Sequence, residues 1–233
     1  MIHVFETMGT VVSVDPSLRP AEIEAVFADF DARFSLYRPE SEISRVASGL
    51  LSMIDASEEL RSAYARALEW RALTGGAFTP HRPDGVIDLS GIVKALAIEA
   101  AGRVLGLNDD WIINAGGDVL TSGPSAIVGI VDPSNRAQLL TSVRLGGARR
   151  AVATSGTAER GDHIWGPREF AQVTVLADDI ITADVLATAI VAGGVETLNS
   201  LTESWDIDVL AIDPEGNLFA TPGLTAAVAA ATP

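Results

Sequence analysis

The sequence predicts an α+β fold, and three observations carry that prediction. Strand-like and helix-like patterns occur in blocks, with strands first, then helices, then strands again, rather than in strict alternation. The chain has 233 residues, of which 48% are hydrophobic, which is enough to bury a full core. No Pro/Ser-rich linker divides it. We therefore expect one domain, or two tightly joined lobes, over residues 1–223, followed by a frayed Ala/Thr-rich tail over residues 224–233.

The N-terminal half is predicted to start with strands and to continue with helices. Residues 2–14 alternate enough to form a hairpin or a bent strand around the Met-Gly-Thr sequence at residues 8–10. Pro20–Phe34 has the spacing of a helix with one apolar face. Residues 35–49 are predicted to be a polar loop. Ser57 then caps a second helix, which carries two glutamates in its first turn and ends at paired glycines.

The C-terminal half returns to strands. A third helix is predicted over residues 92–106, after a strand-like run at residues 86–87. A helix over residues 183–192, another over residues 195–204 and a hairpin turn at residues 213–217 follow the strands. The strands predicted between the third and fourth helices cover residues 111–114, 126–131, 139–145, 150–154 and 170–176.

Charge and composition limit the ligands that this chain can bind. The formal net charge of -15 disfavours nucleic acid and anionic membrane surfaces, which would be repelled at long range. An anionic ligand must therefore be small and neutralised locally, by a cation, by helix ends or by a metal ion. The chain has no cysteine, which excludes disulfides, thiolate nucleophiles and iron–sulfur clusters.

The sequence gives no sign of targeting or membrane insertion. Residues 1–10 lack the basic and apolar regions of a signal peptide. The longest nearly apolar stretch, residues 185–195, is too short to span a bilayer. We therefore expect a cytoplasmic protein.

Lys94 is the only lysine among 16 basic residues, and it ends the string DLSGIVK. A chain that uses arginine everywhere else keeps a compact point charge here, where a planar guanidinium would not be equivalent. Asp88, a turn at Ser90 and Gly91 that is able to cap a helix, and this cation converge where a helix is predicted to begin. Because helix N-termini favour anions, the segment indicates an anion site. A surface lysine kept by chance is the alternative.

Four further segments have the side chains of a site. Asp184 and Thr188 lie four residues apart on one helix face and offer the oxygen ligands that Mg²⁺ prefers; the alternative is a dipole-complementing Asp and a Thr bonded to a backbone carbonyl. Asp118 follows two glycines, as in a hairpin turn. Tyr37, in a polar loop, is able to stack on a planar ring. His163 is a candidate proton carrier.

Together and in order, these segments resemble the FAD:protein FMN transferase family, also called the ApbE family. Each motif is weak alone, but seven in register along nearly the whole chain are specific. The motifs, besides a Met-Gly-Thr sequence at residues 8–10, are SEIS (residues 41–44), GAFTP (76–80), DLSGIVK (88–94), NAGGD (114–118), TSG (154–156), HI-x-x-P (163–167) and AD-x-x-AT (183–188).

The resemblance implies a fold, a reaction and a site. The fold is α+β and T-fold-like, with antiparallel sheets and helices packed on one side of each. The reaction is Mg²⁺-dependent cleavage of FAD at its pyrophosphate, with transfer of FMN to a Ser or Thr of an acceptor flavoprotein and release of AMP. The implied FAD contacts are Met8, Tyr37, Ala77, Phe78, Thr79, Asp88 and Lys94; the implied metal ligands are the Gly91 carbonyl, Asp184 and Thr188; the implied catalytic residues are His163 and Asp184.

The sequence departs from the family pattern at several positions, and two other functions stay open. Thr79 and Gly166 replace residues that are usually Asp, and Ala95-Leu96 replaces Gly-Tyr. A Mg²⁺-dependent FAD pyrophosphatase, in which water replaces the acceptor hydroxyl, and a non-catalytic FAD-binding protein are the alternatives to the transferase.

Overall fold

The computed structural model describes residues 2–15, 17–106, 110–156 and 169–228. It confirms the α+β class, because helices pack on an antiparallel sheet whose strands come from both ends of the described chain. The strands are β1 (His3–Thr7), β2 (Thr10–Val14), β3 (Ile112–Ala115), β4 (Asp118–Thr121), β5 (Ala126–Asp132), β6 (Asn135–Leu145), β7 (Ala151–Gly156), β8 (Gln172–Ala177), β9 (Asp208–Ile212) and β10 (Leu218–Ala220). The helices are α1 (Pro20–Phe34), α2 (Glu42–Ala47), α3 (Glu58–Leu73), α4 (Ser90–Leu105), α5 (Ile180–Ser204) and α6 (Pro222–Ala227), with a 3-10 turn at Met53–Asp55.

The main sheet has eight strands in the order β1-β2-β3-β4-β7-β8-β9-β10, and each neighbouring pair is antiparallel. Helices α1, α4 and α5 pack against it and against one another around the larger apolar core. Strands β5 and β6 form a separate hairpin. A smaller apolar cluster, which includes Val143, Leu145, Val152 and Leu176, lies between this hairpin and the middle of the sheet.

Two tight hairpin turns meet at one edge of the cavity region described below. Met8 and Gly9 join β1 to β2 with φ of 49° and 68°, the left-handed values of a two-residue type I′ turn. Gly116, with φ of 65°, lies in the corresponding turn between β3 and β4. A Cβ on Gly116 would come within 2.2 Å of Thr10 Oγ1, so only glycine lets the two turns approach this closely.

Several predicted elements are confirmed with small shifts, among them the N-terminal hairpin and the first three long helices. Others were wrong. The predicted loop at residues 35–49 contains α2, whose N-cap Ser41 accepts a hydrogen bond from Ser44 N. The run at residues 86–87 is no strand and contributes one isolated bridge, from His81 to Ile87. Helix α6 crosses the boundary drawn at residue 223 and buries Leu224.

Helix α5 breaks where the sequence predicted a junction between two helices. Gly194 interrupts it with φ of 68° and ψ of -156°. Within the described ranges, α5 is the one helix long and apolar enough to cross a membrane by length and composition, and 67% of its most apolar window is buried inside the protein. Its apolar surface is therefore largely used by the core.

Candidate functional site

Two adjoining cavities of about 660 Å³ and 1100 Å³ lie beside the N-terminus of α4. Both volumes are of the size at which proteins bind small molecules. Arg82, Asp88 and Ser90 line both cavities and thus form the junction between them. A ligand long enough to enter both cavities must pass these three residues.

The first cavity lies between the start of α4, the segment after α3, and the facing parts of β7 and α5. The GAFTP segment supplies Ala77, Phe78 and Thr79 to its wall, and Gly91 and Thr188 face the same space. Asp184 lies one turn before Thr188 on α5 and is 1% exposed. The sequence therefore predicted the GAFTP segment, which forms one wall of this cavity. It also predicted the helix that carries Asp184 and contributes Thr188 to another wall.

The second cavity lies between the two hairpin turns, α1 and α4. Met8, Tyr37 and Lys94 line it, and Asp88 belongs to both cavities. The Tyr37 side chain is 87% exposed, so its ring is available to a ligand rather than buried in the core. All the predicted flavin contacts thus lie on the walls of two joined cavities, although the ligand roles themselves stay predictions.

The GAFTP segment is held against α4 by close packing. Thr74 Oγ1 donates to Trp70 O at 2.8 Å and accepts from Phe78 N at 3.1 Å, which fixes the chain after α3. Phe78 is buried against the first turn of α4, where a Cβ on Gly91 would lie 3.0 Å from its ring. Glycine at residue 91 therefore lets Phe78 pack directly on the helix start.

Helix α4 begins at Ser90 without a side-chain cap of its own. The capping role predicted for Ser90 and Gly91 was wrong, because the N-cap is Leu89 and both predicted residues are already helical. Asp88 Oδ1 instead accepts a hydrogen bond from Ser90 N at 2.9 Å. Asp88 is thus placed at the helix start as an acceptor, which holds a carboxylate at the junction of the cavities.

Lys94 is paired, which the sequence did not predict. Its Nζ lies 2.6 Å from Asp118 Oδ2, with 12% of the lysine side chain and none of the aspartate exposed. The contact is an ion pair rather than a well-directed hydrogen bond. Asp118 Oδ1 also accepts from Thr154 N at 3.1 Å. Lys94 therefore reaches the second cavity as one half of a buried ion pair that ties α4 to β4 and β7.

Asp184 is not placed to complement the helix dipole from the first turn, which was the alternative considered for it. Helix α5 starts at Ile180, and Asp179 caps it by accepting from Ile181 N at 3.0 Å and Thr182 N at 2.9 Å. Asp184 therefore lies beyond the first turn, where an interaction with the helix dipole is weaker. Thr188 Oγ1 lies 3.0 Å from Ser155 Oγ, on β7.

The donor set proposed for Mg²⁺ is chemically suitable. Gly91 O, the Asp184 carboxylate and Thr188 Oγ1 are hard oxygen donors, and Mg²⁺ usually takes few protein oxygens and completes its shell with water and phosphate. No group of three or more His, Cys, Asp or Glu able to hold a metal occurs within the described parts of the chain. A metal here would thus depend on the backbone carbonyl and the hydroxyl beside one carboxylate.

The predicted proton carrier, His163, lies outside the described residues. The other two histidines each contact another side chain: His3 contacts Glu24, and His81 Nε2 lies 2.8 Å from Tyr64 OH. His81 lines the first cavity and was not predicted as a site residue.

Sequence reasoning missed the arginines of the second cavity. The second cavity is lined by four cations: Lys94 and the arginines Arg38, Arg82 and Arg136. It is also lined by two carboxylates, Asp31 and Asp88. These arginines come from three separate regions of the chain, so no local motif joins them. An acidic protein nevertheless gathers four cations around one cavity.

Comparisons with known proteins agree on one family. The sequence profile of the ApbE family matches residues 8–82 and 79–211. Among solved structures, the chain is similar to the ApbE protein of Thermotoga maritima, with 20% identity, a TM-score of 0.82 and 99% of each chain covered. It is also similar to the flavin transferase ApbE of Vibrio cholerae, with 21% identity, a TM-score of 0.78, and 97% of this chain and 98% of the other covered. A third similar structure is the flavinyl transferase ApbE of Pseudomonas stutzeri, with 19% identity, a TM-score of 0.76, and 100% and 98% covered. No curated protein matches the chain.

Proposed function

Because this chain belongs to the ApbE family, we propose that it is a Mg²⁺-dependent FAD:protein FMN transferase, with one flavin transferase domain that extends beyond residue 223 to include α6. The reaction would attach FMN to a Ser or Thr hydroxyl of an acceptor flavoprotein and release AMP. The observation that carries the proposal is the pair of cavities joined at Arg82, Asp88 and Ser90. An elongated dinucleotide is able to place its two halves in the two cavities and its diphosphate between them.

Different residues would bind different parts of this substrate. Tyr37 and Met8, in the second cavity, would contact the isoalloxazine side, and Tyr37 offers a largely exposed ring for stacking. Gly91, Asp184 and Thr188 would hold Mg²⁺, which polarises phosphoryl oxygens and neutralises charge on the leaving AMP when bound. Asp88 lies between these groups, beside the amides of the α4 start.

The transfer step is a displacement at phosphorus. The acceptor oxygen bonds to the FMN phosphorus while the bond from that phosphorus to the bridging oxygen breaks, and AMP carries the bridging oxygen away. The hydroxyl proton must leave during this step, and we assign its removal to His163 on the family resemblance. Water in place of the hydroxyl would give FMN and AMP instead.

The direct test is a product analysis. Purified protein is incubated with FAD and Mg²⁺, with and without a candidate acceptor flavoprotein, and FMN, AMP and protein-bound flavin are separated. A transferase yields AMP together with covalent flavin on the acceptor, in equal amounts. Free FMN with AMP, independent of the acceptor, would make the protein a pyrophosphatase. Bound but intact FAD would make it a non-catalytic flavin-binding protein.

Tyr37→Ala should weaken FAD binding without destabilising the protein. The side chain is 87% exposed, so its removal should change the free energy of unfolding by less than about 0.5 kcal/mol. Loss of stacking should raise the Kd for FAD by roughly 2- to 12-fold. Fluorescence titration measures the Kd, and Tyr37→Phe, which keeps the ring, serves as the matched control. Equal Kd values for all three proteins would remove Tyr37 from the flavin site.

A further inference from the structure

Arg82 lies at the junction of the two cavities on a closed loop. Gly85 N donates to Arg82 O and Arg82 N donates to Val86 O, both at 2.9 Å, so the backbone makes a tight turn with Pro83 near its apex. Asp88 N donates to Pro80 O at 2.9 Å and closes the wider loop. These hydrogen bonds and the fixed φ of Pro83 hold the backbone of Arg82 in a defined conformation.

The charge of Lys94 is already balanced inside the protein. Its partner Asp118 is fully buried, and the two opposite charges are 2.6 Å apart. A diphosphate near the junction therefore gains less from Lys94 than from a cation whose ion pair is exposed to solvent, where pairing is weak. Asp88, at the same junction, adds negative charge where the diphosphate would lie. A further cation at this point would offset that negative charge.

Arg82 is the cation placed there. It is one of the three residues common to both cavities, and 38% of its side chain is exposed. Its Nη2 lies 2.9 Å from Asp84 Oδ2, which orients the guanidinium. Its Nε is shielded from solvent and has no hydrogen-bond partner in the described part of the chain. Because part of the side chain is exposed at the junction, the guanidinium is able to take an additional acceptor, and it suits the oxygens of a phosphate.

We propose that Arg82 binds the diphosphate of FAD at the junction of the cavities and so sets the preference for a dinucleotide over a flavin without phosphate. This inference rests on the proposed function, because it takes FAD as the substrate. The resemblance to the family implies no role for Arg82. The role is inferred from the position of Arg82 between the two cavities. Asp84 would act as a positioning residue that holds the guanidinium toward the junction.

The test compares Arg82→Gln with a matched control, Arg150→Gln. Arg150 is 41% exposed and pairs with Asp178 at 3.0 Å, much as Arg82 pairs with Asp84, but it lines neither cavity. FAD and riboflavin are titrated into each protein without metal, with flavin fluorescence as the readout and melting temperature as the check on folding. Arg82→Gln should raise the Kd for FAD by about 10- to 100-fold. The Kd for riboflavin should not change, and Arg150→Gln should bind both flavins as the wild type does.

Two results would overturn the inference while leaving the proposed function intact. An unchanged Kd for FAD in Arg82→Gln would show that the arginine makes no phosphate contact, and an equal loss for FAD and riboflavin would show a structural effect. If Arg82→Gln melts early, Arg82→Lys replaces it, with an intermediate loss expected for FAD alone. Failure of the wild type to bind FAD at all would instead contradict the proposed function itself.

Discussion

Lys94→Met should lower the free energy of unfolding by about 3–5 kcal/mol, the usual cost of leaving one partner of a buried ion pair without its counter-charge. Asp118 is fully buried and 2.6 Å from the ammonium, so its carboxylate would lose its counter-ion far from water. For a chain of this size the loss corresponds to a fall in melting temperature of about 6–20 °C. Chemical denaturation with thermal melting measures it.

A double substitution separates the charge effect from the packing effect. Asp118→Asn keeps an acceptor for Thr154 N while it removes the negative charge, so Lys94→Met with Asp118→Asn should recover most of the lost stability. Arg103→Met, which breaks an exposed pair with Glu99, should cost less than about 1 kcal/mol. A Lys94→Met protein as stable as the Arg103→Met control would contradict the burial of the pair.

Asp184→Asn should reduce the rate of AMP release from FAD at saturating Mg²⁺ by about a hundredfold or more, since about 3 kcal/mol of lost transition-state stabilisation gives that factor. The substitution keeps the volume of a side chain that is 1% exposed and removes its charge. The fold should therefore survive, and a higher Mg²⁺ concentration should be needed for half-maximal rate. Wild-type rates across the Mg²⁺ titration would exclude Asp184 as a ligand.

Asp179→Ala is the matched control, because it removes a carboxylate whose role is to cap the same helix. Asp179 caps α5 through Ile181 N and Thr182 N, so its loss should cost about 0.5–2 kcal/mol of stability. The rate per folded molecule should stay unchanged. Opposite behaviour of the two variants would separate catalysis from helix stability.

Local patterns predicted the fold where the chain carries strong local signals. The apolar face of α1, the Ser57 cap of α3 and the glycine break in α5 each depend on neighbouring residues, and each was predicted. Helix α2 was missed because six residues with one buried side chain show no apolar period. Strand β4 was missed because it follows a two-glycine turn so closely that the segment resembles the turn alone.

The candidate site was predictable where its residues belong to the motifs that occur in order along the sequence. Those motifs led to Gly91, Thr188 and Tyr37, which line the joined cavities. The partner of Lys94 was not predictable, because Asp118 reaches it only through the pairing of β3 with β4. The same holds for Arg82, whose role depends on where two cavities meet.

The register of β2 on β3 has a consequence for the order in which the protein is made. Val12 pairs with Ala115, and the turn at Met8 and Gly9 rests against the turn at Gly116. The second cavity therefore cannot close until more than a hundred residues separating its two turns have left the ribosome. Until then the β2 edge of the N-terminal hairpin has no neighbouring strand. An unpaired edge of this kind is able to pair with strands of other chains during synthesis. If this cavity binds the flavin as proposed, flavin affinity is acquired late, after the two ends of a long chain loop have met.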